Sequence, residues 1–155
     1  MKQQYAFQGF EKEKMARALG KDLPISTKHS VMVCNAIRGK KIETAKKILE
    51  NVMVMKQAIK YTRFNFDRGH KKKIGPGRYP VETCREIMKI LESAEANAHQ
   101  KNLENLCLAH ICAQKASRPW HYGRHRGRQM KRTHIEIVLC EKEQKEKKAP
   151  EGKKK

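Results

Sequence analysis

The chain has 155 residues, with 36 Lys or Arg against 16 Asp or Glu and a formal charge of +20. That length suits one domain, and 38% hydrophobic residues, below the ~45–50% of a typical soluble domain, leave a modest core. The longest uncharged stretch, residues 105–114, is far short of the ~20 apolar residues that cross a bilayer, and the first ten residues hold no apolar signal-peptide run, which argues against secretion and membrane insertion. So much like charge destabilises a compact body unless a polyanion offsets it. Nucleic acid, whose condensed counterions are released as phosphates are neutralised, is favoured over an anionic membrane surface. A membrane-binding helix needs an apolar face, and the most basic segment here is rich in Gly, Arg and His and has none.

In chain order, Tyr5, Phe7 and Phe10 stand among polar residues and suit an extended segment that docks on something. Glu11 to Leu19 has the composition of a short helix closed by Gly20, and Asp22 to Ile25, which carries Pro24, is at most an edge strand. Ser26 is the expected N-cap of a first helix. Its apolar stripe is Val31, Cys34 and Ile37, and Gly39 ends it in the left-handed conformation. A second helix puts Ile42, Ala45, Ile48, Leu49, Val52 and Met53 on one face and keeps Lys40, Lys41, Lys46 and Lys47 off it. The run Val52 to Met55 reads as core and its continuation.

Residues 63–80 read as a loop punctuated by Gly69, Gly75, Pro76, Gly77 and Pro80, with five Lys or Arg and no acid from Arg68 onward. A structureless loop of that length is uncommon unless it has a task. A long third helix starts at Pro80 or Val81, buries Val81, Cys84, Ile87, Met88, Leu91 and Ala98, and stops near Asn102. The period then changes to two. Leu106, Leu108, His110 and Cys112 alternate with Cys107, Ala109, Ile111 and Ala113, apolar enough on both faces for a central strand. A last strand, Thr133 to Glu141, sets Ile135, Ile137 and Leu139 on one face and His134, Glu136, Val138 and Cys140 on the other. The charged, low-complexity tail 143–155 is expected to be disordered alone.

Five cysteines, an odd number without a C-x-x-C pair, read as reduced thiols. Cys107 and Cys112 with His121 and His125 loosely resemble a zinc finger, but the gap is too short for its helix. Positions five apart on a strand face opposite ways unless a bulge intervenes. No metal and no cofactor is expected.

Residues 115–132 (KASRPWHYGRHRGRQMKR) carry seven Lys or Arg, the rings Trp120, His121 and Tyr122, and no acid. Either the flanking strands continue as a hairpin arm turning near Gly123 to Gly127, or the segment is a disordered basic loop. Arg forks onto phosphates and stacks on bases, Trp and Tyr stack on unpaired bases, and Gly admits a close nucleotide. The residues expected to bind RNA are therefore Arg118, Trp120, Tyr122, Arg124, Arg126, Arg128, Lys131 and Arg132 on the arm. Lys28, Arg38, Lys40 and Lys41 near the first helix junction, and His70, Lys71 and Arg78 in the loop, form a second tier.

Five pieces, in order, resemble the universal large-subunit ribosomal protein of the "L twenty-two" family, "L seventeen" in eukaryotes. They are MARALGKDLPISTKH, AIRGKKIETAKKILENV, GPGRYPV, LESAEANAHQKNL and THIEIVLCE, spanning about residues 14–142. The GRYP loop is similar to the archaeal and eukaryotic branch. The resemblance implies an α+β fold of three helices packed on a small antiparallel sheet with a long protruding β-hairpin. It implies a body of residues 11–112 and 133–142 and an arm of 113–132, all in one domain of 1–155. It further implies a structural, non-enzymatic role on the cytoplasmic ribosome. The protein would bind large-subunit ribosomal RNA and neighbouring ribosomal proteins, aid assembly, and line the exit tunnel where the arm's tip meets the nascent polypeptide. Tyr122, Arg124, Gly127 and Arg128 match the family's arm pattern, while Gly123 replaces a usual Pro, and His125 and Gln129 replace usual Ala residues. Two other classes remain as alternatives. One is a free-standing, chromatin-like nucleic-acid-binding protein, for which no helix-turn-helix or zinc-finger reader is present. The other is an RNA-processing enzyme using His121 or His125, for which no paired carboxylate, Walker loop or nucleophile elbow is present.

Overall fold

The computed structural model describes residues 5–124 and 127–141. Expectations for Arg126, His125 and the tail 143–155 lie outside the described residues. In order the elements are β1 (Met15–Leu23), α1 (Thr27–Ile37), α2 (Ile42–Met53), β2 (Ile59–Lys60), β3 (His70–Lys71), β4 (Gly75–Arg78), α3 (Val81–His99), β5 (Leu106–Lys115) and β6 (Thr133–Glu141).

The three helices form as their apolar spacing requires. Met32, Val33, Cys34 and Ile37 of α1, Ala45, Leu49 and Val52 of α2, and Cys84, Ile87, Leu91, Ala94 and Ala98 of α3 are all buried. Gly39 ends α1 at φ +71° and Asn102 follows α3 at φ +55°, the left-handed stops expected. The helix α2 ends at Met53, and Val54 and Met55 are exposed, so the apolar run does not continue the core.

Residues 11–19 are not a helix. From Met15 the chain is β1, antiparallel to β6 with Ala16 opposite Leu139 and Ala18 opposite Ile137. Ala16 and Ala18 face the core. The Ala, Leu, Lys and Glu of this stretch favour a helix locally, but a helix would leave the β6 backbone unpaired on that side. The main sheet has the order β1-β6-β5, so β6 is central and β5 is an edge strand. Both faces of β5 carry apolar residues for another reason: the helices cover one, and on the other Phe7 packs against His110 at 5.3 Å. Its edge is also shielded. The Gly39 N–H donates to the Leu108 carbonyl and the Leu108 N–H to the Lys40 carbonyl, at 3.1 and 2.9 Å, which blunts an otherwise open edge.

A β-bulge between Leu108 and His110 leaves Ala109 without a partner on β6. It reverses the alternation expected for β5. Leu106 and Leu108 point to the helices before it, Ile111 after it. Cys107, opposite Cys140, and Cys112, opposite Glu136, therefore share the outer face. The β6 faces are as the alternation predicts, with Ile135, Ile137 and Leu139 fully buried under the helices.

Residues 63–80 are not a plain loop. β4 pairs with β2 and with β3 in a second small sheet. Its strands are too short for any period to register in sequence. Gly77 is needed there, because a Cβ would lie 3.3 Å from the Ile59 carbonyl oxygen and 3.0 Å from Ile74 Cδ1.

Past Lys115 the chain stays paired across the arm without regular strands. Ala116 donates to Arg132, Met130 to Pro119, and His121 to Arg128 at 2.7 Å, and Trp120 bridges Gln129. Gly123 takes φ +95°, where a Cβ is strained.

Candidate nucleic-acid interface

The start of α1 is pinned to the root of β6. The Thr133 hydroxyl donates to the Ile25 carbonyl at 2.9 Å and lies 2.9 Å from the Thr27 hydroxyl. This clasp sets the α1 N-terminus beside the point where the arm leaves the body. Ser26 occupies the N-cap position, as expected, but its hydroxyl caps nothing, and the first turn has no acidic residue. The backbone N–H groups of that turn keep their capacity for an outside anion, on the positive end of the helix dipole.

Around this end lies a cleft of about 670 Å³. Lys28 enters from α1, Arg68 from the segment before β3, and Arg78 from β4. Lys115 and Arg118 come from the outgoing side of the arm, Lys131 and Arg132 from the returning side. Ser26, Thr27, His29, Val31 and Phe64 complete the wall, and none of the lining residues is acidic. The local field registers on His29, whose pKa lies below its ordinary 6.5, mainly through burial and then through Arg68, Arg78 and Lys131. Phe64 is half-buried at the rim, with the Lys28 ammonium 5.6 Å and the Arg63 guanidinium 5.5 Å from its ring centre.

Lys28, Arg78, Arg118, Lys131 and Arg132, named from sequence, thus converge. Trp120, Tyr122, Arg124 and Arg128 stand exposed farther along the arm, where His121 stacks on Tyr122 at 4.8 Å. The remaining candidates lie elsewhere. The Arg38 guanidinium donates to the Ile111 carbonyl at 2.9 Å, an anchor between α1 and β5. Lys40 and Lys41 flank β5 from the helix junction, and Lys41 lines a different pocket with Glu43, Glu95 and Glu104. His70 is exposed on β3, and the Lys71 ammonium lies over the Tyr79 ring at 5.4 Å. Sequence reasoning missed Arg68, Lys115, His29 and Phe64. Lys115 could have been found as the last residue of β5 at the arm's root. The other three become visible only once β4 folds back beside α1.

The outer face of the main sheet is a second polar locus. Glu136, 2% exposed, accepts the Ala6 N–H at 2.8 Å on Oε2 and the Phe7 N–H at 3.1 Å on Oε1. The Arg17 guanidinium is sandwiched between the Tyr5 and Phe10 rings at 4.1 and 4.5 Å. Residues 5–10 do dock, as their spacing suggests, and their site is the chain's own sheet. Cys107 and Cys112 keep different company: Cys107 Sγ is 3.0 Å from Cys140 Sγ, and Cys112 Sγ is 4.0 Å from Glu136.

An α+β body with an acid-free cationic cleft and an exposed basic arm defines a polyanion-binding scaffold protein. The chain matches the family described as ribosomal protein L22p/L17e over residues 18–140. It is 41% identical over 150 residues to the large ribosomal subunit protein uL22 of Archaeoglobus fulgidus, covering 86% of this chain and 93% of that protein. The same-named proteins of Methanosphaera stadtmanae (41%, covering 90% and 97%) and Methanocaldococcus jannaschii (39%, covering 83% and 89%) are similar to it. The chain belongs to the L22p/L17e family of ribosomal proteins and is of the archaeal type, within the archaeal and eukaryotic branch to which the GRYP loop pointed.

Proposed function

We propose that this chain is a structural constituent of the large ribosomal subunit, on the cytoplasmic ribosome, and grips large-subunit ribosomal RNA at two places. The cleft at the α1 N-terminus holds the phosphate backbone, and the arm threads between RNA segments. One observation carries the reading: seven cations from five separated stretches of chain meet around an uncapped helix N-terminus with no acid among them. Folding brings these like charges together at a Coulombic cost that a bound phosphodiester reverses. Phe64, Trp120 and Tyr122 supply ring faces for unpaired bases, each worth roughly 1–3 kcal/mol in such stacks. Neighbouring ribosomal proteins complete the environment, and the arm's tip reaches the exit tunnel and the nascent polypeptide.

No catalytic step belongs to this reading. Burial pushes the Cys34 and Cys84 thiols up to about 12, and His121 stands exposed on the arm with its Nδ1 engaged 2.8 Å from the Tyr122 carbonyl. The test is sedimentation of cell extract. The expected result is co-migration with large subunits, weakened when Arg78→Gln and Arg118→Gln are combined. A chain that stays at the top of the gradient and prefers duplex DNA at high salt would instead support the chromatin-like alternative. RNA cleavage lost in a His121→Ala variant would support the enzyme.

A further inference from the structure

From the outer face of the sheet we infer that His110, Cys112 and Glu136 form a zinc-binding site that fastens the N-terminal segment to the body. The inference is independent of the RNA-binding reading. His110 and Cys112 are i and i+2 on β5, so both project to one face, and Glu136 is directly opposite Cys112 on β6. Two alternate positions on one strand plus the facing residue of its neighbour make a three-point set on rigid backbone. His110 Nε2, Cys112 Sγ and a Glu136 oxygen all lie within 4.8 Å of one another. Zinc bonds of about 2.0–2.3 Å put tetrahedral ligand atoms roughly 3.3–3.8 Å apart, so closing the set takes side-chain shifts of about 1 Å.

Three further observations point to an ion. His110 Nε2 is buried and has no hydrogen-bond partner among the described residues, and it lies 4.0 Å from a Glu136 oxygen. Glu136 is already oriented. Its two oxygens each accept one backbone N–H from the N-terminal segment and keep lone pairs for a metal, as carboxylates around metal ions do. Gln114 donates to the Cys112 sulfur at 3.8 Å, an outer hydrogen bond that suits a thiolate. Above the set the Phe7 ring packs against the His110 ring at 5.3 Å and limits access of water.

The donor set selects the metal. One imidazole nitrogen, one thiolate and one carboxylate suit Zn²⁺, with water as the fourth ligand, and suit Mg²⁺ or Ca²⁺ poorly. On binding, the Cys112 thiol releases its proton to solvent. The thiolate and carboxylate together balance the two charges of the ion, so the buried centre is neutral. Because the carboxylate also holds residues 6 and 7, the ion ties the N-terminal segment, β5 and β6 at one point.

The test uses the full chain, freed of metal by a chelator, kept reduced, and titrated with Co²⁺ as a spectroscopic stand-in for Zn²⁺. The expected result is one equivalent bound, with a thiolate-to-cobalt charge-transfer band and the intense visible bands of four-coordinate cobalt, both removed by added Zn²⁺. Cys112→Ser abolishes the charge-transfer band, and His110→Asn weakens binding at least tenfold. The double variant Cys107→Ser/Cys140→Ser keeps the band, which excludes the neighbouring thiol pair as its source. In parallel, Zn²⁺ raises the thermal midpoint of the wild type and leaves that of Cys112→Ser unchanged, a readout that holds should Glu136→Gln fail to fold. The absence of a cobalt band at stoichiometric metal would overturn the proposal and leave Glu136 as a clasp for the N-terminal segment. So would a band that survives Cys112→Ser or depends on Cys107 and Cys140.

Discussion

Combining Arg78→Gln with Arg118→Gln isolates the electrostatic work of the cleft. Both side chains are exposed, so the double variant should unfold at the midpoint of the parent. Seven cations line the cleft, and with one phosphate each on irregular, mostly unpaired RNA the log–log salt slope is about −5. Losing two brings it to about −3.5. Between about 50 and 200 mM salt, parental affinity should then fall roughly 10³-fold and variant affinity roughly 10²-fold. The assay is fluorescence anisotropy with a large-subunit RNA fragment across a salt series. Arg85→Gln combined with Lys89→Gln is the control, because these cations pair with Glu82 and Glu86 on α3. A cleft variant with the parental slope, or a control pair that lowers the slope as much, would refute the assignment of the cleft to phosphate.

Three other outcomes follow from particular contacts. A Cβ at Gly20 would overlap Ile90 Cδ1, so Gly20→Ala should cost about 1–3 kcal/mol in denaturant unfolding. Ile90→Val, which removes that methyl, should recover part of the loss, whereas strictly additive costs would contradict the overlap. His29 has its folded pKa below the unfolded 6.5, so its contribution to stability is present above 6.5 and is lost as pH falls below it. A phosphate offsets the cationic share of that shift, so RNA affinity should rise as pH drops through the same range, and His29→Gln should flatten the rise in a binding titration. Cys34 and Cys84, almost fully buried and with thiols at about 12, should resist alkylation in mildly alkaline buffer until the chain unfolds. Mass mapping should find Cys107 and Cys140 modified first, and fast labelling of Cys34 in the native protein would contradict its burial.

What the sequence made legible follows from where the physical signal is local. The α1, α2 and α3 stripes, the left-handed Gly39 and Asn102, and the two faces of β6 all sit within a few residues of their cause. The misreadings arose where distant chain decides. Residues 15–19 have helical composition, but β6 offers a backbone ladder that a helix cannot use. The outer face of β5 is partly covered because Phe7 returns to pack on His110, a contact across about 100 positions. The small sheet β2-β4-β3 has two strands of two residues, below the length at which alternation exists. For the cleft, the residue types were visible and the convergence was not. Lys28, Arg78 and Arg118 are separated by dozens of residues, and only the Thr27–Thr133 clasp shows that they share one opening. Arg38 looked equivalent to them until a carbonyl of β5 accounted for its guanidinium.

The unpaired Ala109 makes β5 two half-strands of opposite parity. Before it, odd-numbered residues look outward; after it, even-numbered ones do. Excising that single alanine would leave Leu108 opposite Leu139 and His110 opposite Val138 in unbroken alternation, with Ile111 still under the helices and His110 and Cys112 still on the outer face. The bulge is therefore the place where β5 can lose a residue and keep both faces, whereas a one-residue deletion at any paired position of the strand would exchange them.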